Sequence, residues 1–75
     1  MALDYTIIGE RLKKARLAKN LTQEQLAEMV GISRQHMGAI EAPNMNRGLS
    51  IDLLLNIATV LEIEPYLLLK FPSDP

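Results

Sequence analysis

Residues 33–36 read Ser-Arg-Gln-His, three hydrogen-bonding side chains in succession behind a hydroxyl. Arg34 carries a planar fork of donors that fits the O6 and N7 acceptors of guanine, and Gln35 offers the donor–acceptor pair that fits adenine N6 and N7. Ser33 and His36 have the chemistry to reach a phosphate or a base edge. If Ser33 caps a helix, the next three residues form its first turn, where the helix dipole favours acids over cations. A local rule broken in this way tends to mark function. The plainer alternative is a solvated helix face that reads nothing, and an exposed histidine is commonplace.

The elements that must carry these residues are written in capping grammar. A helix start combines a capping side chain with apolar residues at N′ and N4. Leu21-Thr22 with Leu26, Ile32-Ser33 with Met37, and Leu49-Ser50 with Leu54 all satisfy it. Gln25 at N3 completes a capping box with Thr22. Upstream, Ile8, Leu12, Ala15 and Lys19 recur at helical spacing and predict a first helix over residues 7–18, ended by Asn20. Downstream, Pro65 suits the first position of a short fifth helix through Leu69.

Gly31 falls one position past the last periodic residue of helix 2, where a left-handed backbone closes a helix. The next cap follows two residues later, so helices 2 and 3 must cross steeply. Ala27 is small enough to permit the crossing, and Leu26, Val30, Ile32, Met37 and Ile40 supply the apolar seam. The expectation is an all-α, compact five-helix domain in which helices 2 and 3 form a helix-turn-helix.

Composition narrows the function classes. Seventy-five residues, 48% of them hydrophobic, suit one small domain; its expected extent is residues 1–71, with a disordered tail over 72–75. With no cysteine, a disulfide framework and thiolate metal sites are excluded. One histidine, no Gly-rich phosphate loop and no carboxylate cluster leave nothing to assemble into a catalytic centre. No enzyme activity, cofactor, metal or small-molecule ligand is therefore expected. The first residues lack a basic region followed by an apolar core, and no apolar run approaches the ~20 residues that span a bilayer. A soluble, cytoplasmic domain is expected.

Charge is divided along the chain. Residues 1–47 hold seven Lys/Arg against five Asp/Glu, a net +2, whereas residues 48–75 hold one against four, a net −3. The rear is also unusually apolar. In Ser50–Glu62, the polar side chains Asp52, Asn56 and Thr59 share one narrow arc, and apolar residues cover about 220° of a helix that needs little more than ~100° to pack on one side. Leu53, Leu55, Val60, Tyr66, Leu68 and Phe71 are the candidates to face a partner. A second copy is the simplest partner, forming a two-fold homodimer; a larger protein covering the same patch is the alternative.

The stretch TQEQLAEMVGISRQHMGAIE resembles the Cro/repressor type of helix-turn-helix, the lambda-repressor-like domains of transcriptional regulators. Gln23 opens helix 2, Ala27 sits at the crossing, Gly31 in the turn, Ile32, Met37 and Ile40 in the core, and Glu41 closes helix 3. The similarity extends from about Ile8 to Leu69, with Ile63–Leu69 matching the family's last short helix. The loop Ala42–Gly48 departs from the pattern, being longer and having Pro43 where a glycine is usual.

The resemblance implies a sequence-specific binder of double-stranded DNA. In such a domain the leading residues of helix 3 enter the major groove, which places Ser33, Arg34, Gln35 and His36 at the bases and Ala39 beside a thymine methyl. It also implies that Gln23 contacts a phosphate and that Arg16 and Glu41 form a structural ion pair. Asn44, Asn46 and Arg47 are ordinary loop residues that could equally meet the DNA backbone. Net negative charge and the apolar rear keep a second reading open: a protein-interaction module, adaptor or toxin-binding antitoxin, that keeps the fold with weak or no DNA binding.

Overall fold

A computed structural model describes residues 5–42 and 49–69. Five helices follow one another, α1 (Tyr5–Ala18), α2 (Gln23–Val30), α3 (Arg34–Glu41), α4 (Ile51–Leu61) and α5 (Pro65–Leu69), with no strand among the described residues. α1 begins two residues earlier than the apolar spacing predicts. The expected tail 72–75, the residues Asn44, Asn46 and Arg47, and Phe71 lie outside the described residues.

Each predicted start carries its cap. Thr22 Oγ1 accepts from Gln25 N–H at 3.0 Å while Gln25 Oε1 accepts from Thr22 N–H at 2.8 Å, closing the box. Ser33 Oγ accepts from His36 N–H and Ser50 Oγ from Leu53 N–H. A cap of this kind contributes about 1 kcal/mol because it satisfies a helix N–H that has no carbonyl partner.

The helix ends follow one construction as well. After α1, α2 and α4 a residue in the left-handed region, Asn20, Gly31 or Glu62, turns the chain. The apolar residue that follows donates its N–H back into the helix: Leu21 to the Arg16 carbonyl, Ile32 to Ala27 and Ile63 to Ala58. This closure satisfies carbonyls that the helix leaves open. Leu21, Ile32 and Ile63 also pack against the core. In the first two turns the same apolar residue ends one helix and precedes the cap of the next, so consecutive axes are fixed by connections of four residues (19–22) and three (31–33).

Ile8, Leu12, Leu26, Ala27, Met37, Ile40, Leu54, Ile57, Ala58, Leu61 and Leu68 form the core. α3 packs against both α1 and α2, α4 against α2 and α5, and α5 also against α1. Gly9 permits the α1–α3 approach: a Cβ there would lie 2.7 Å from the Ile40 carbonyl oxygen. Lys19, counted in the apolar spacing of helix 1, lies beyond it and is exposed; its Nζ pairs with Glu62 Oε1 at 2.7 Å. That pairing holds the Glu62 carboxyl below its usual range, chiefly through the hydrogen bond and then through the Lys19 charge.

The rear face needs one correction. Leu68, expected to face a partner, is 1% exposed and belongs to the core of the chain itself, because α5 folds back across α1 and α4. Leu53 and Val60 are half-buried against the core. Leu55 and Tyr66 are exposed, as are Ile51 and Leu67, which are not among the six partner-facing candidates. No helix among the described residues is long and apolar enough to cross a membrane.

Candidate nucleic-acid interface

The first turn of α3 projects from a frame set by its neighbours. Ser33 fixes its start, Met37 and Ile40 bury its inner face, and α1 and α2 hold it from behind. Arg34 and Gln35 consequently stand in solvent, with no side-chain hydrogen bond or ion pair to another described residue. His36 is half-buried at N3, and its backbone N–H is taken by Ser33 Oγ at 3.0 Å. That bond leaves the Ser33 hydroxyl proton available for an outside acceptor. Further along, Gly38 and Ala39 are half-buried and bring no hydrogen-bonding side chain to the exposed side.

Behind this turn lies a buried polar junction. Arg16 Nε donates to Glu41 Oε2 at 2.7 Å and Arg16 Nη2 to Glu41 Oε1 at 3.0 Å, a bidentate pair between α1 and the end of α3. Arg16 is 5% exposed and Glu41 8%. The third nitrogen, Nη1, donates to the Leu21 carbonyl at 2.6 Å, so one side chain ties α1, the α1–α2 turn and α3 together. Glu41 Oε1 also accepts from Gln23 Nε2 at 3.1 Å. Pairing with extra hydrogen bonds is the condition under which a buried charge can be kept.

Gln23 therefore has a fixed place. One amide proton is held by Glu41, and its Oε1 lies beside Gly38, 3.5 Å from where a Cβ would stand. Its second amide proton and the backbone N–H groups of Gln23 and Glu24, which the Thr22–Gln25 capping box does not use, remain for an outside acceptor. Gln23, Thr22, Glu24, Arg16 and Arg34 line a depression of about 430 Å³ where the amino ends of α2 and α3 meet. The structure thus brings Gln23 and Arg34 to one place and sets Arg16 and Glu41 beneath them.

Two parts of this arrangement are not visible in the pattern of side-chain types. The Gln23–Glu41 bond joins residues 18 positions apart, and Gly9 is a lone glycine in the interior of α1. The only sequence signal for Gly9 was its cost, about 1 kcal/mol relative to alanine in a helix, which suggests a packing reason.

Comparison with known proteins agrees with this geometry. The helix-turn-helix family profile matches residues 12–68. The chain belongs to that family, in its Cro/repressor form. Among curated relatives of the helix-turn-helix family, the HTH-type transcriptional regulator SinR of Bacillus licheniformis is 32% identical over 64 residues, which cover 85% of this chain and 57% of SinR. The control protein C.SmaI of Serratia marcescens is 39% identical over 49 residues, 65% of this chain and 58% of its own. The chain thus spans a little over half the length of these two relatives. Among solved helix-turn-helix structures, the restriction-modification controller protein C.AhdI from Aeromonas hydrophila superposes with a TM-score of 0.77 at 40% identity, covering 87% of this chain and 96% of that one. SinR, a master regulator for biofilm formation solved in complex with DNA, superposes with a TM-score of 0.76 at 32% identity, covering 84% and 98%.

Proposed function

We propose that this chain is a sequence-specific, double-stranded DNA-binding transcriptional regulator that acts as a homodimer on a palindromic operator. The observation that carries the reading is the first turn of α3: an arginine and a glutamine with no side-chain partner among the described residues, exposed on a helix whose inner face is packed by Met37 and Ile40. A guanidinium and a carboxamide held on a rigid element are the side chains that read guanine and adenine edges in the major groove. Relatives that are transcriptional regulators, one of them solved on DNA, support it.

In this reading Arg34 and Gln35 contact bases, with Ser33 and His36 at a base edge or phosphate and Ala39 beside a thymine methyl. Gln23 and the amino end of α2 seat a phosphate, and Asn44 and Arg47 approach the backbone from the loop. The Arg16–Glu41 pair touches no DNA and positions Gln23 and the end of α3. Ile51, Leu55, Tyr66 and Leu67 supply the exposed apolar surface for a second copy. A two-fold dimer presents its two reading helices about 34 Å apart, one turn of duplex.

Selection of bound duplexes from a random pool tests all of this together. The expected product is an inverted repeat with half-sites one helical turn apart. A pool that never enriches, with no retention of random duplex at low salt, sinks the DNA reading and leaves the protein-interaction module in its place. A non-repeated consensus keeps DNA binding and removes the dimer.

A further inference from the structure

The depression between the amino ends of α2 and α3 has the parts of an anion cradle: N–H groups at a helix start and two arginines in its lining. Its charges nevertheless cancel. Arg16 is neutralised by Glu41 through two bonds and spends its third nitrogen on the Leu21 carbonyl. Arg34 is the one lining cation without a partner among the described residues, and Glu24, an exposed carboxylate, lines the same space. No ion pair among the described residues joins them. Taken together, Arg16, Glu41, Arg34 and Glu24 carry no net formal charge, so a phosphate seated here meets N–H dipoles but no excess of positive charge.

This matters for how a duplex is chosen. Affinity for phosphates is independent of sequence, and an arginine free to take any phosphate adds only to that term. A carboxylate lining the same depression as the arginine penalises the phosphate and favours a guanine edge, which carries no full charge. Deepening the DNA-binding reading, on which it rests, we infer that Glu24 is a specificity-determining residue. Its carboxylate repels phosphate on random duplex, and on a matched site it pairs with Arg34 and holds that guanidinium toward guanine. On random duplex only the repulsion is felt; on the operator the repulsion is offset by the pairing.

The test compares Glu24→Gln, Glu24→Asp, Arg34→Ala and the double variant Glu24→Gln/Arg34→Ala on random duplex and on the selected operator, through a salt series. Circular dichroism confirms that each variant is folded. Glu24→Gln is expected to bind random duplex roughly five-fold more tightly, the effect of removing one unfavourable unit charge at ~4 Å in water. Its log–log salt slope should steepen by about 0.9 per subunit, while operator affinity moves less than about two-fold, so discrimination falls. Glu24→Asp, which keeps the charge, should stay close to the unmodified protein. With Arg34 already replaced, Glu24→Gln should no longer change discrimination. Equal tightening on both duplexes makes Glu24 a general repellent and overturns the inference, as does no change on either. An unmodified protein that retains no duplex at any salt instead overturns the DNA-binding reading, and the inference falls with it.

Discussion

Arg16 and Glu41 show how one buried pair can serve the fold and the surface together. A buried ion pair is weak evidence of net stabilisation, since desolvation offsets much of the Coulomb gain. Breaking it is a different matter. Glu41→Ala leaves the buried Arg16 guanidinium with only the Leu21 carbonyl as an acceptor among the described residues, an uncompensated charge that costs about 3–5 kcal/mol. Urea unfolding should show the free energy of unfolding falling by that amount, with a lower midpoint at unchanged slope. Loss of less than about 1 kcal/mol would place the pair in the class of surface salt bridges. The change also frees the Gln23 side chain, which loses its Glu41 acceptor. This pair was legible only through family resemblance, because two charges 25 positions apart carry no local sign that they meet.

At the scale of the element, what was legible was what is local. Caps are read from one side chain and the N–H three residues on, so Thr22, Ser33 and Ser50 stood out before any packing was known. Asn20 and Gly31 were readable ends for the same reason, being residue types that tolerate a left-handed backbone. Glu62 turns the chain in that conformation without such a preference, and its side chain reaches Lys19 across two turns. Gly9 and Leu68 depend on which helix lies opposite. In Pro65–Leu69 three consecutive leucines give no periodicity that tells the buried one from its neighbours.

Gly9 yields the sharpest test of packing against propensity. Alanine is favoured over glycine in a helix by about 1 kcal/mol, so Gly9→Ala would stabilise an isolated α1. In the folded chain the new Cβ meets the Ile40 carbonyl oxygen at 2.7 Å, with Glu41 Cα at 3.4 Å. Backbone cannot swing aside as a side chain does, and overpacking of this kind costs about 1–3 kcal/mol. The expected sign is destabilisation, read as a lowered melting temperature. A melting temperature that rises would show that α1 and α3 do not approach as closely as described.

For the whole molecule, the arrangement of helices separates two surfaces. The amino end of α2 and the first turn of α3 line one depression, and α4 and α5, packed on each other, each carry exposed apolar residues. Ile51 and Leu55 are one turn apart on α4, 65% and 45% exposed, on the flank opposite the half-buried Leu53 and Val60; Tyr66 and Leu67 on α5 are 61% and 44% exposed. An apolar flank left in water is more often an interface than an accident. A second copy of the chain, related by a two-fold axis, would cover the flank with itself. That arrangement also makes chemical sense of the small count of cations. One subunit can neutralise only a few phosphates, and linking two raises affinity through effective concentration without any new contact. Leu55→Glu is a suitable probe, because an exposed position accepts charge without disturbing the core. The unmodified chain should sediment as a dimer at micromolar concentration and the variant as a monomer, each with the same helical circular dichroism. Operator affinity should fall steeply in the variant, while binding to a single half-site stays near its original value. If the unmodified chain is monomeric at high micromolar concentration, or if Leu55→Glu leaves a dimer intact, the α4–α5 flank does not join two copies, and the two-fold operator loses its structural basis.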